Sequence, residues 1–277
     1  MILYNDLFLN KEEVHISYDD RGYYFGDGVY EVFRIYNGQL FEIEKHLQRL
    51  KRSCEETQIT FPYTMEELQD KLYQLIQKSF VQEGTLYLQI TRGVAPRSHV
   101  IPENIKPVVL AYCNEVKRPL DKMQSGIKAI TQEDIRWLRC DIKSLNLLPN
   151  TLAKQNAIKH EVDETIFHRE GIITECSASN IMIVKNGEIH THPVNHLILN
   201  GVTRAVVLKL ANQAGFTIKE QPFDFNQLKN ADEVFITGTT VEIIPIISID
   251  QQKVSNGKPG EFTRELQRLF EKVIPNS

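Results

Sequence analysis

The chain holds a single tryptophan, only four cysteines and no apolar run approaching the ~20 residues that a membrane helix requires. Stretches such as 107–113 are far too short, so no membrane span is expected. Cys54, Cys113, Cys140 and Cys176 lie far apart and form no C-x-x-C pair, which argues against a zinc site or a disulfide framework and leaves them as reduced, mostly structural thiols. An excess of one charge is missing too: 32 basic side chains against 36 acidic ones give a net charge of −4. With no basic stripe, nucleic acid and anionic membranes are poor partners, and a small molecule is a better one. Gly26-Asp27-Gly28 lacks the further glycine and helix of a dinucleotide fingerprint, and no P-loop is present. The first ten residues have neither a basic start nor a continuous apolar segment, so a secretory signal is not expected and the cytoplasm is.

What is present belongs to a folded α+β protein. The 277 residues are 42% hydrophobic and 25% charged, enough to bury a substantial core in one large or two ordinary domains. Strand signals dominate the first forty residues, and residues 29–35 run into Asn37-Gly38, a pair suited to a tight hairpin. Ile43, Leu47, Leu50 and Cys54 recur at helical spacing; so do Met65, Leu68, Leu72, Leu75 and Ile76, after a capping box of Thr64 and Glu67. Residues 85–91 alternate as a strand and lead into a loop over 92–107. The charged stretch 115–125, with Pro119, reads as a linker that separates an N-terminal domain (1–118) from a C-terminal one (119–277). A strand over 127–131, a helix over 151–161, a hairpin at Asn186-Gly187, a helix over 202–214 ending at Gly215 and a terminal helix from Phe262 follow. Strands clustered in sequence, with helices grouped between them, indicate α+β domains rather than a regular βαβ wind.

Several side chains stand out, each with a plain alternative. Lys143 lies between Trp137-Leu138 and Leu145, Leu147 and Leu148, an apolar setting for an amine. A free lysine titrates near ~10.4, and desolvation or a neighbouring cation can make such an amine reactive, but a lysine snorkelling from a strand edge is equally compatible. Arg97 and His99 are two residues apart, so an extended backbone points both the same way, as a carboxylate trap or as part of a solvated loop. Leu199-Asn200-Gly201-Val202-Thr203 opens a helix whose N-terminus suits a phosphate. Thr239 and Thr240 offer hydroxyls after an apolar strand, or simply form a turn. Glu175, alone, reads as an exposed strand-end carboxylate.

Together these stretches resemble the fold-type IV pyridoxal-phosphate enzymes, the class IV aminotransferases. The likeness runs over nearly the whole chain and in family order: residues 20–31, the helix with His46 and Arg49, the lysine segment 134–146, Thr174-Glu175 with Ser179-Asn180, and Gly201-Val202-Thr203-Arg204. It implies a two-domain α+β fold, with a smaller sandwich-like N-terminal domain, a larger barrel-like C-terminal domain and pyridoxal 5'-phosphate held where the two meet. Lys143 becomes the Schiff-base lysine and Glu175 the partner of the protonated pyridine nitrogen, which keeps the ring an electron sink. Arg49, Val202, Thr203 and Thr239 fall to the phosphate, Leu199 to the ring face, and Ser179 to the cofactor-binding set.

Within the family, Arg97-x-His99 is similar to the mark of the D-amino acid aminotransferases. That likeness gives Tyr30, Arg97 and His99 the substrate carboxylate, and brings the Arg97 loop from the neighbouring subunit of a homodimer. The implied reaction is a ping-pong exchange between a D-amino acid of the D-alanine type and a 2-oxo acid, 2-oxoglutarate becoming D-glutamate. An L-branched-chain aminotransferase and an aminodeoxychorismate lyase of the same fold are the rivals; a protein that keeps the cofactor without catalysis is a third. Departures from the family pattern are Cys176 and Ala178 where a glycine and serines are usual, Gly238 where a small or hydroxyl residue is usual, and Pro149-Asn150.

Overall fold

The computed structural model describes residues 1–275 and divides them into two compact units. The first comprises Met1–Lys117, the short strip Ile142–Asn146 and Pro275; the second comprises Arg118–Asp141 and Leu147–Ile274. Lys143 thus belongs to the first unit although it follows residue 118 in sequence.

In the first unit the elements run β1 (Ile2–Tyr4), β2 (Leu7–Leu9), a 3-10 turn (Lys11–Glu13), α1 (Arg21–Phe25), β3 (Gly28–Tyr36), β4 (Gln39–Leu40), α2 (Ile43–Glu56), α3 (Met65–Ser79), β5 (Gly84–Thr91) and β6 (Val108–Glu115). The strands form one antiparallel sheet in the order β2-β1-β6-β5-β3-β4. Alternation puts Phe33, Ile35, Leu86, Leu88 and Ile90 on one face, where Leu47 and Leu50 of α2 and Leu68, Leu72 and Leu75 of α3 cover them. Truncating one such leucine to alanine costs about 2–5 kcal/mol. The Thr64–Glu67 capping box forms as the spacing predicts. The early strands are interrupted, however, by α1, which Asp20 caps through its side chain on the Gly22 amide.

The second unit contains α4 (Leu120–Ser125), β7 (Ile127–Glu133), α5 (Leu148–Lys159), β8 (Glu164–Arg169), β9 (Ile172–Cys176), β10 (Asn180–Lys185), β11 (Glu188–Thr191), α6 (Val202–Gln213), β12 (Thr217–Glu220), β13 (Phe223–Asp224), α7 (Phe225–Lys229), β14 (Glu233–Gly238), β15 (Glu242–Ile249), β16 (Gln252–Lys253) and α8 (Glu261–Glu271). Its sheet has ten strands, mixed in direction and curled, in the order β12-β11-β10-β14-β15-β7-β8-β9-β13 with β16 beside β15. Ile166, Ile173, Ile181, Ile183, Ile236, Ile244 and Ile246 lie in its core. The stretch read as linker is partly helical. Pro119 precedes the first turn of α4, where a missing amide hydrogen costs nothing, and Met123 is buried. Gly215 has positive φ after α6. Among the described residues, no helix is long and apolar enough to cross a membrane, and Cys54, Cys113, Cys140 and Cys176 are all free.

Candidate active site

Within the first unit, the strip bearing Lys143 lies against the start of β3. The Tyr30 amide donates to the Lys143 carbonyl at 3.0 Å, the Leu145 amide donates to the Gly28 carbonyl at 3.0 Å, and Ile142 enters the core. The Lys143 amide in turn donates to the Ser53 hydroxyl of α2. Backbone pairing therefore fixes the lysine, and its half-buried side chain carries Nζ to 4.3 Å from the centre of the Tyr30 ring. An ammonium over an aromatic face is held by the ring quadrupole.

On the opposite face of β3, among apolar neighbours, Glu31 is fully buried. Arg49 donates to both its oxygens, Nε at 2.7 Å and Nη2 at 2.8 Å, and His46 Nδ1 lies 2.7 Å from Oε2. Burial alone would raise the Glu31 carboxyl, but the Arg49 guanidinium and His46 outweigh it and hold it down to about 2. Burial pushes the His46 imidazole below its ordinary value. This fork orients Arg49, leaving Nη1 turned away from Glu31.

Arg97 and His99 are exposed, as a solvated loop would have them, yet they act on one feature. The Arg97 guanidinium lies 5.1 Å from the centre of the Phe25 ring and the His99 ring 5.5 Å from it. Buried Arg21 donates to the Ser98 carbonyl at 2.6 Å and to Asp27 at 2.9 Å, which pins the loop to α1.

In the second unit Glu175, on β9, is buried at 5% exposure, which corrects its reading as an exposed strand-end group. Arg136 Nη1 donates to Oε1 at 2.6 Å; Asn180 Nδ2 and the Leu199 amide donate to Oε2 at 3.0 and 3.1 Å. Burial raises the carboxyl above its usual range, and Arg136 opposes that rise. A carboxylate has about four acceptor positions, and three donors leave Oε1 able to accept one more.

Asn180 also donates to the Leu199 carbonyl at 2.9 Å and so joins Glu175 to the segment that opens α6. Gly201 stands at the N-cap of that helix with no side-chain cap, and the first-turn amides of Val202 and Thr203 begin a twelve-residue dipole. A Cβ at Gly201 would fall 2.0 Å from Asn180 Oδ1, so glycine is required there by space. Thr239 is half-buried in the turn after β14. Gly238, beside it, faces Ala178 and Ser179, and a Cβ there would sit 3.1 Å from Val241 Cγ2. Val241 thus occupies the space in which a larger residue at 238 would compete. The Ser179 hydroxyl is turned to Glu164, at 3.4 Å, within a turn closed by the Cys176 amide on the Ser179 carbonyl. Pro149 lies in the first turn of α5, and Asn150 donates to the Ser177 carbonyl of the same turn.

The predicted residues thus gather in two sets: Tyr30, Arg49, Arg97, His99 and Lys143 on the first unit, and Glu175, Ser179, Leu199, Val202, Thr203 and Thr239 on the second. Sequence reasoning gave no role to Glu31, Arg21, Asp134 or Arg136. An Asp-x-Arg pair in an extended segment places both side chains on one face, and that was the available signal for Asp134 and Arg136.

Each unit, taken by itself, carries groups whose chemistry suits pyridoxal phosphate. A buried carboxylate with spare acceptor capacity suits a protonated pyridine nitrogen, an uncapped helix start suits a phosphate, and a backbone-anchored amine suits an aldehyde. Comparison with known proteins agrees. The family described as Amino-transferase class IV matches residues 28–249. A D-alanine aminotransferase of Staphylococcus haemolyticus is 47% identical over 274 residues, 99% of this chain and 97% of that protein; one of Bacillus licheniformis is 45% identical over 273 residues, 99% and 96%. Among solved structures, a branched-chain amino acid aminotransferase of Escherichia coli superposes with a TM-score of 0.93 at 25% identity, over 99% of this chain and 94% of that one. The chain belongs to the class IV aminotransferases.

Proposed function

We propose that this protein transfers the amino group of a D-amino acid of the D-alanine type to 2-oxoglutarate, giving D-glutamate, in a ping-pong cycle. Class IV aminotransferases work with pyridoxal phosphate, and this chain is a pyridoxal-phosphate-dependent D-amino acid aminotransferase. The observation that carries the choice of D-amino acids is the pair Arg97 and His99, two donors set on one Phe25 ring and suited to a carboxylate. Identity to D-alanine aminotransferases nearly twice that to the branched-chain enzyme supports the same choice.

Bound pyridoxal phosphate supplies an aldehyde that takes up an amine and a conjugated ring that accepts the electrons of a breaking Cα–H bond. Lys143 holds that aldehyde between turnovers. Its freed amine would then take the substrate Cα proton and deliver it to the C4′ carbon of the cofactor, so one base serves both transfers. Glu175 accepts from the ring nitrogen, and Leu199 packs on the ring. Arg49, the Val202 and Thr203 amides and Thr239 bind the phosphate; the Ser179 hydroxyl can swing from Glu164 to join them. Tyr30, Arg97 and His99 bind the substrate carboxylate, and the D-hand follows when the Cα–H bond must face Lys143.

Arg97 and His99 serve the neighbouring protomer of a homodimer in this reading. Their exposure supports it, as do the exposed apolar side chains Tyr18, Tyr23, Val100 and Ile101 in the same part of the first unit. Four unpaired thiols support a reducing compartment, the cytoplasm.

The test is the visible spectrum of the cofactor-loaded protein before and after D-alanine or L-alanine, with turnover assays on D-alanine, L-leucine and aminodeoxychorismate. D-alanine bleaches the band and yields D-glutamate from 2-oxoglutarate. Turnover of L-leucine without D-alanine, or lyase activity, overturns the reading.

A further inference from the structure

Behind Glu175 lies an alternating row of buried and half-buried charges in the second unit. Asp134, whose side chain is 0% exposed, receives Arg136 Nε at 2.9 Å on Oδ1 and Arg136 Nη2 at 2.9 Å on Oδ2. Arg169 Nε and the Thr174 hydroxyl also donate to Oδ2, at 3.1 and 3.3 Å. Arg136 is therefore held by a two-point fork on Asp134, lies 4.7 Å from the centre of the Phe167 ring, and directs its remaining nitrogen to Glu175 Oε1 at 2.6 Å. The charges alternate, Arg169, Asp134, Arg136, Glu175, and sum to zero.

Fold stability is a poor account of this row. Burying charge is costly, and apolar replacements of such networks are often neutral or stabilising. Asp134 already takes two of the three Arg136 nitrogens, and the second buried carboxylate, at 175, adds a desolvation cost that some other task must justify. Three donors from different segments, Arg136, Asn180 and Leu199, fix the plane of that carboxylate while Oε1 keeps an open acceptor position. We infer that Arg136, clamped by Asp134, is a positioning residue that orients the Glu175 carboxylate and keeps it ionised for the cofactor's protonated ring nitrogen. This rests on the assignment of Glu175 proposed above.

The charged and titratable side chains coupled to Glu175 in its unit include Arg136, Asp134 and the Cys140 and Cys176 thiols, with Arg169 one step further away on Asp134. Burial raises both thiols, so they stay neutral near pH 7, and Arg136 is the cation in direct contact. Removing it leaves Asp134 to add repulsion to burial, and the carboxyl takes up a proton.

The experiment follows the Glu175 carboxyl by carbon-13 NMR in the full chain labelled at glutamate Cδ, the resonance assigned by its loss in Glu175→Gln. In Arg136→Gln the titration midpoint rises by about two pH units or more, a ~100-fold change in proton affinity. Arg136→Lys keeps the charge but cannot reach Asp134 and Glu175 together, and gives a smaller rise; it decides the matter should the glutamine variant fail to fold. A midpoint unmoved in a folded Arg136 variant overturns the inference. Equilibrium dialysis with pyridoxal phosphate separates this from the site assignment. Arg136→Gln and Glu175→Gln both weaken binding about tenfold or more if Glu175 meets the cofactor. A moved midpoint with cofactor binding and spectrum untouched in Glu175→Gln keeps Arg136 as the control on Glu175 and overturns its service to the cofactor.

Discussion

The Lys143 amine stands over the Tyr30 ring at 4.3 Å while the backbones of the same two residues are joined by a hydrogen bond of 3.0 Å. Ring and hydroxyl of Tyr30 therefore have separable tasks. Tyr30→Phe keeps the aromatic face under the amine and removes only the hydroxyl assigned to the substrate carboxylate. The KM for D-alanine is expected to rise about tenfold, the value of one hydrogen bond to a charged group, with kcat changed only a few-fold. Tyr30→Leu also removes the ring and lowers kcat. Steady-state kinetics on both variants decides it; a Tyr30→Phe that lowers kcat and leaves KM untouched rejects the carboxylate role.

Glu31 gives the protein an acid-sensitive core. Its folded carboxyl is held to about 2 against an ordinary 4.5, so the stabilisation is complete above 4.5 and is lost as pH falls from there towards 2. His46 adds to the loss. Its folded imidazole resists protonation, so below about 6.5 the unfolded chain takes up a proton that the folded one does not. Urea denaturation between pH 7 and 3 should show stability falling in both ranges. Glu31→Gln flattens the lower one and, by removing a fully buried carboxylate that both Arg49 and His46 contact, costs about 3–5 kcal/mol at pH 7. A Glu31→Gln chain with the parent's acid slope contradicts this account.

Much of the first unit was legible because its determinants are local. The apolar spacing of α2 and α3, the Thr64–Glu67 box and the Asn37-Gly38 turn act over a few residues, and all three take their expected form. The ten-stranded sheet was not legible as an order, since partners such as β7 and β15 are set by packing across more than a hundred residues. The same holds at the candidate site. Glu175 could be singled out, but its burial depends on Arg136, 39 residues away, and on Leu199, 24 away, and nothing local to β9 announces either. The effect of Pro149-Asn150 was invisible for the same reason, because Asn150 acts on Ser177.

Gly201 should tolerate a side chain only at a cost. In Gly201→Ala the new Cβ would lie 2.0 Å from Asn180 Oδ1, so Asn180 must swing away and release both Glu175 and the Leu199 carbonyl. Overpacking of this kind costs about 1–3 kcal/mol, read as a lowered Tm. Pyridoxal phosphate should also dissociate more readily, because the helix start shifts. Asn180→Ala in the Gly201→Ala background restores the space without the hydrogen bonds, so it recovers part of the stability and little of the cofactor affinity.

The exposed Arg97 loop yields the sharpest test of the homodimer. If that loop serves the neighbouring protomer, a Lys143→Ala chain and an Arg97→Ala chain are each inactive alone but complementary together. In the mixed dimer, one site combines the intact lysine of one protomer with the intact arginine of the other, and the second site lacks both. Random exchange makes half of the dimers mixed with one working site in each, so activity with D-alanine returns to about a quarter of the unmodified enzyme. If the loop serves its own protomer, every site carries one lesion and mixing restores nothing. Unfolding and refolding equal amounts of the two chains together, against each refolded alone, measures the difference, and size-exclusion chromatography of the same samples shows whether a dimer formed.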